Sequence, residues 1–130
     1  MPYSVLVVED EPNIVISLRF IMEQAGFVVR VAEDGRQAVD EIIRETPDVV
    51  LLDLMLPELD GFSVCEAVRG NPAIADTKII VLSAKSREID RDRAMRLGAD
   101  DFITKPFSTR DLGDRVRQVL GLNESKPLSV

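Results

Sequence analysis

Five short apolar runs alternate with five amphipathic stretches along this chain, a pattern that points to a parallel sheet with helices on both faces. Runs such as Val5-Leu6-Val7-Val8, Val49-Val50-Leu51-Leu52 and Ile79-Ile80-Val81-Leu82 contain no polar position, as strands buried on both faces require. The spacing predicts β1 at about Ser4 to Val8, β2 from Val28 to Val31, β3 from Asp48 to Asp53, β4 from Lys78 to Ser83 and β5 from Ala99 to Ile103. Pro12 suits the first turn of α1 (Pro12 to Ala25) and Gly26 the position just past its end. Ile14, Leu18, Ile21 and Ala25 then form one inward stripe. Asp34 can cap α2, with Gln37 reaching back to it and Ala38, Ile42 and Val39 facing inward. After a loop containing Pro57, α3 runs from Gly61 to about Arg69 with Phe62, Cys65 and Val68 inward, and Gly70-Asn71-Pro72 ends it.

The next helix, α4 from Arg87 to Leu97, is different. Ile89, Ala94, Met95 and Leu97 are its only apolar positions, and a helix with so little to bury is loosely held, as moving elements are. Ser108-Thr109-Arg110-Asp111 opens α5, whose Leu112, Val116, Val119 and Leu120 face inward. A chain of 130 residues fits one domain, expected over residues 1–120, with 121–130 a tail or the start of a linker.

Composition removes several function classes. There is no histidine, so a Ser-His-Asp triad, a histidine general base and a histidine zinc site are excluded. Cys65, the single cysteine, allows neither an internal disulfide nor a thiolate metal site and reads as packing. A formal net charge of −7 argues against direct nucleic-acid binding. No apolar stretch approaches the roughly 18 residues of a membrane span, and no secretory signal opens the chain, so a soluble cytoplasmic protein is expected.

The chemistry lies where the strands end. β1 runs into Glu9-Asp10, β3 into Asp53, β4 into Ser83 and β5 into Thr104-Lys105. If the strands are parallel neighbours, these groups meet on one carboxyl edge, where open α/β sheets bind ligands. Taken singly, each has an ordinary explanation: Asp10 or Glu11 as a helix cap, Asp53 as a strand-end acid paired with a lysine. Taken together, three hard oxygen ligands on one edge repel unless a cation sits among them, and Mg²⁺ is the natural candidate. A carboxylate is also a competent nucleophile toward phosphorus, and phosphoryl transfer needs mostly positioning and neutralisation, which Lys105 and Ser83 are suited to assist.

Glu9-Asp10, Asp53, Ser83 and the Lys105-Pro106 pair, at these spacings and within the strings LLDLMLPELDGF and GADDFITKPF, resemble the receiver domain of bacterial two-component response regulators. The resemblance spans about Ser4 to Leu120. It implies a flavodoxin-like (βα)5 fold, a doubly wound parallel five-stranded sheet in the order 2-1-3-4-5. It further implies that Asp53 accepts a phosphoryl group from a sensor histidine kinase or a histidine phosphotransfer protein. Mg²⁺, or alternatively Mn²⁺, would be held by Asp10, Asp53 and the backbone carbonyl of Met55, with Glu9 acting through water. Ser83 and Lys105 would contact the phosphoryl group, Phe102 would occupy the switch-aromatic position, and the α4-β5-α5 face would change shape. The Lys105-Pro106 bond would be cis. Such a domain is a switch that assists its own phosphorylation and dephosphorylation rather than a turnover enzyme.

Phe102 stands in place of the common tyrosine and Ser83 in place of the common threonine, while Met55 and Lys85 occupy positions by which the family adjusts the access of hydrolytic water. A haloacid dehalogenase-like phosphatase would need a second aspartate two residues after the first on β1, where Pro12 stands, and no P-loop follows any strand. Output stays open between a stand-alone receiver acting on a partner protein and the regulatory module of a longer DNA-binding transcription factor or hybrid kinase. Arg91, Asp100, Asp101, Asp111 and Arg115 resemble the charged α4-β5-α5 face through which some receivers form phosphorylation-dependent homodimers.

Overall fold

The computed structural model describes residues 2–84 and 87–122. Lys85 and most of the expected tail, 123–130, lie outside the described residues. The elements run β1 (Ser4–Val8), α1 (Pro12–Gln24), β2 (Val28–Ala32), α2 (Gly35–Arg44), β3 (Val49–Asp53), α3 (Gly61–Arg69), β4 (Lys78–Ser83), α4 (Glu88–Arg96), β5 (Asp101–Thr104) and α5 (Thr109–Val119). All strand pairs are parallel, in the order β2-β1-β3-β4-β5.

Alternation along the strands divides the core in two. Val5, Val7, Val49, Leu51, Ile80 and Leu82 join Leu18, Ile21 and Met22 of α1 and Leu112 and Val116 of α5. Leu6, Val8, Val50, Leu52, Ile79 and Val81 join Ala38 and Ile42 of α2, Val64, Cys65 and Val68 of α3, and Ala94 of α4. Every residue of β3 is buried, which fits a central strand covered on both sides. The α1 stripe is broader than the sequence suggests: Met22 is buried, whereas Ile14 and Ala25 pack only partly against the core.

The helix ends follow local chemistry. Asp34 Oδ1 accepts from the Gln37 N–H at 2.7 Å, Asp60 Oδ1 from the Ser63 N–H at 2.9 Å, and Ser108 Oγ from the Asp111 N–H at 3.0 Å. Gln37 does not reach back to Asp34; its side chain accepts instead from the Glu33 N–H at 2.7 Å, one residue outside the expected box. The start of β5 also differs from expectation. Gly98, at φ +103°, donates to the Met95 carbonyl and Ala99 to the Ala94 carbonyl, so Ala99 closes the end of α4 and β5 begins at Asp101.

Candidate functional site

Parallel pairing of β1 with β3 and of β3 with β4 brings the carboxyl ends of three strands together at the point where strand order reverses. Glu9 and Asp53 are buried at 2% and 7% exposure, and Asp10 is exposed above them. Carboxylate oxygens of these three residues lie within 4.8 Å of one another. Lys105 Nζ donates to Glu9 Oε1 at 3.0 Å and to Asp53 Oδ1 at 3.2 Å. The peptide linking Lys105 to Pro106 is cis. Ser83 is buried at the end of β4, where its carbonyl accepts from the Lys105 N–H at 2.7 Å. α1 has no side-chain cap, so neither Asp10 nor Glu11 fills that role; the Glu11 N–H instead donates to Glu9 Oε2 at 3.2 Å.

Burial pushes the Asp53 carboxyl above its ordinary range; Lys105 opposes this, the charge of Glu9 adds to it, and the Met55 N–H, bonded to the carboxylate, opposes it. Burial also works against the charge on Lys105, but hydrogen bonds and charge from Glu9 and Asp53 outweigh it and leave the ammonium pKa raised. Three carboxylates facing one ammonium leave a formal excess of two negative charges in a partly dry pocket. Such a hard oxygen donor set suits a divalent cation such as Mg²⁺.

Met55 is exposed in the loop after β3 but keeps its N–H on the Asp53 carboxylate. Other sequence-predicted residues fall elsewhere. Phe102 is buried at 2% exposure on the side of the sheet covered by α2, α3 and α4. Arg115 grips Asp101 with two bonds of 2.6 and 2.7 Å and approaches Asp111 at 3.5 Å. Arg91 lies against Phe102, 5.8 Å from its ring centroid and 3.4 Å from its carbonyl. Asp100 does not join this group. Its carboxylate accepts from Arg69 at 3.0 Å and from the Ile79 N–H at 2.8 Å.

Two arginines escaped the sequence reading. Arg69 bonds the carbonyls of Ala75, Thr77 and Gly98, tying the end of α3 to the turn after α4, and Arg93 of α4 stacks 4.0 Å over the Phe62 ring. A basic residue in the last turn of α3 is a sign of carbonyl binding; the stacked pair, formed between separate helices, left no local sign. Cys65 is free and buried, which pushes its thiol up to about 11, so it is inert packing.

The fold and cluster together define a doubly wound α/β domain with an acidic, lysine-bridged pocket at its strand switch. Residues 5–117 match the family described as the response regulator receiver domain, and the chain belongs to that family. It is similar to a chain described as a response regulator from Chloroflexus aurantiacus, with 30% identity over 93% of this chain and 99% of that one and a TM-score of 0.90. The receiver domain of a signal transduction histidine kinase from Syntrophus aciditrophicus shares 32% identity over 98% of each chain, with a TM-score of 0.85. A third structure is the receiver domain of a sensor histidine kinase from Pseudomonas aeruginosa PAO1, which carries a magnesium ion coordinated in its active-site cleft. It is 30% identical over 93% of this chain and 99% of that one, with a TM-score of 0.86. Receiver domains of two-component systems serve signal transduction and interact with sensor histidine kinases. Among the described residues, no helix is long and apolar enough to cross a membrane.

Proposed function

We propose that this chain is a phosphorylation-activated switch in which Asp53 accepts a phosphoryl group from a sensor histidine kinase or a histidine phosphotransfer protein in the cytoplasm. The observation that carries this reading is the meeting of Asp53 with Glu9, Asp10 and Lys105 at one strand edge. An Asp53 carboxylate oxygen attacks phosphorus, the phosphorus–nitrogen bond to the donor histidine breaks, and its electron pair leaves with the imidazole. Asp10, Asp53 and the Met55 carbonyl would hold Mg²⁺, with Glu9 acting through water, and the bound ion supplies positive charge against the phosphoryl oxygens. Lys105 neutralises a further oxygen, and Ser83 donates to another from its buried position at the end of β4. Residues 1–120 form the receiver and 121–130 a tail or linker start.

Asp53→Asn keeps the shape of the side chain and loses the nucleophile. It should abolish labelling by acetyl phosphate while the circular dichroism spectrum stays that of the parent, and a chelator should abolish labelling of the parent. Full labelling of the Asp53→Asn variant would sink the assignment.

A further inference from the structure

The loop between β3 and α3 starts one residue beyond Asp53, and it is pressed against the first residue of α2. A Cβ on Gly35 would lie 1.8 Å from the Leu59 carbonyl oxygen and 2.6 Å from the carbonyl carbon, both backbone atoms. Within the loop, the Leu59 N–H donates to the Pro57 carbonyl at 2.8 Å and closes a three-residue turn around Glu58, which has φ +69°. That conformation is costly for a residue with a Cβ and persists only where the surroundings impose it. Gly35 is part of those surroundings, and its N–H also points to the Pro57 carbonyl at 3.4 Å. At the other end of the loop, the Gly61 N–H donates to the Leu54 carbonyl at 3.0 Å, and a Cβ on Gly61 would approach the Asp53 carbonyl oxygen and Leu54 Cα at 2.9 Å each. The loop is therefore seated at both ends. Between the seats lies Met55, whose N–H bonds the Asp53 carboxylate.

We propose that Gly35 is a positioning residue for the Asp53 site: the missing side chain at the start of α2 sets how far the β3–α3 loop comes down, and so where the Met55 peptide stands beside Asp53. The inference rests on the function proposed above, because it assigns that peptide a part in holding Mg²⁺. Any side chain at position 35 lifts Leu59 and carries the loop with it. The effect reaches the site through the backbone of the loop, since Gly35 has no side chain to offer a ligand.

The test is a titration of the metal-free protein with MgCl2, followed by the amide NMR resonances of Asp53 and Met55. Gly35→Ala should weaken Mg²⁺ by at least about tenfold, the loss typical when the support behind a metal ligand is removed. Val116→Ala, at a fully buried position in the α5 core, destabilises the fold without touching the loop and should leave Mg²⁺ affinity at the parent value. The added methyl at position 35 threatens folding, so the decisive comparison is Glu58→Gly against the Gly35→Ala, Glu58→Gly double variant. A glycine at position 58 frees the turn to yield, and the two chains then differ only at position 35. Weaker Mg²⁺ binding in the double variant supports the inference. Equal affinity in that pair, or an equal loss in Val116→Ala, overturns it and leaves the proposed function standing. If the parent shows no saturable response to Mg²⁺ at Asp53, the metal reading fails and this inference falls with it.

Discussion

Lys105 shows how much one side chain carries in this site. It stands between two buried carboxylates, 3.0 Å from Glu9 and 3.2 Å from Asp53, and removing it leaves both uncompensated. Lys105→Met should lower metal-free stability by about 3 kcal/mol at pH 7. Because burial raises the Asp53 pKa in the folded state, protonating Asp53 favours folding as pH falls. The variant should therefore recover part of its deficit between pH 7 and pH 5, as measured by urea unfolding in chelator; a constant deficit would contradict this account. Asp101 behaves in the opposite sense. Burial raises its pKa, but the hydrogen bonds from Arg115 and from the Phe102 N–H outweigh burial and leave it lowered. Its contribution is present above the unfolded carboxyl value of about 3.9 and is lost as pH falls through the folded value. Asp101→Asn should cost about 1 kcal/mol at pH 7 and progressively less as pH falls through the Asp101 titration; a cost that does not change with pH would remove the ion pair from the explanation. The acids of the site were legible in the sequence because each closes an apolar run. The partition of Asp100 from Asp101 was not, because neighbouring residues at the start of a strand face opposite ways and only the fold reveals that Arg69 and Arg115 wait on the two sides.

Among the elements, α4 is the one with least to hold it. Ala94 is its only buried residue among those described, and Ile89 and Met95 are exposed. The sparse apolar pattern could be read from the sequence. What compensates for it could not, because arginine stacking between α4 and its neighbours depends on residues that the fold brings together: Arg93 on Phe62 at 4.0 Å and Arg91 on Phe102 at 5.8 Å. An exposed cation–π contact is worth about 0.5–1 kcal/mol, so Arg93→Ala should speed amide exchange in α4 by roughly two- to fivefold. Exchange in α5 should not change. If α4 exchanges at the parent rate in this variant, the stacked arginine does not anchor it. Strand and helix boundaries were also only partly legible, and β5 shows why: the apolar pattern assigns Ala99 to the strand, whereas the turn that ends α4 at Gly98 takes its N–H.

Across the whole molecule, burial falls from the middle of the sheet toward its two edges, and local stability should follow it. β1, β3 and β4 are inner strands, covered on both faces by the two halves of the core. β5 is an edge strand, covered by α5 on one face and by the weakly anchored α4 on the other. The parallel architecture was legible because a fully apolar run demands burial on both faces; the weakness at one edge follows from which helix covers which strand, which is a property of topology. Under the function proposed above, phosphorylation at Asp53 would add charge and acceptor oxygens near Ser83 and Lys105, at the carboxyl ends of β4 and β5. Contacts made only in the presence of that group favour whichever arrangement of the neighbouring elements makes them best. Moving a two-state element from mostly one form to mostly the other takes about 5.5 kcal/mol, which a few charge-assisted hydrogen bonds of roughly 1.5–3 kcal/mol each are able to supply. Within this fold the change should appear where little opposes it. Beryllofluoride, a stand-in for the phosphoryl group, should alter amide exchange in α4 and β5 while β1, β2 and β3 keep their protection. Unchanged exchange in α4 at saturating beryllofluoride would refute this switch even if Asp53 is the phosphoacceptor, and a change spread evenly over all five strands would show that the sheet responds as one body.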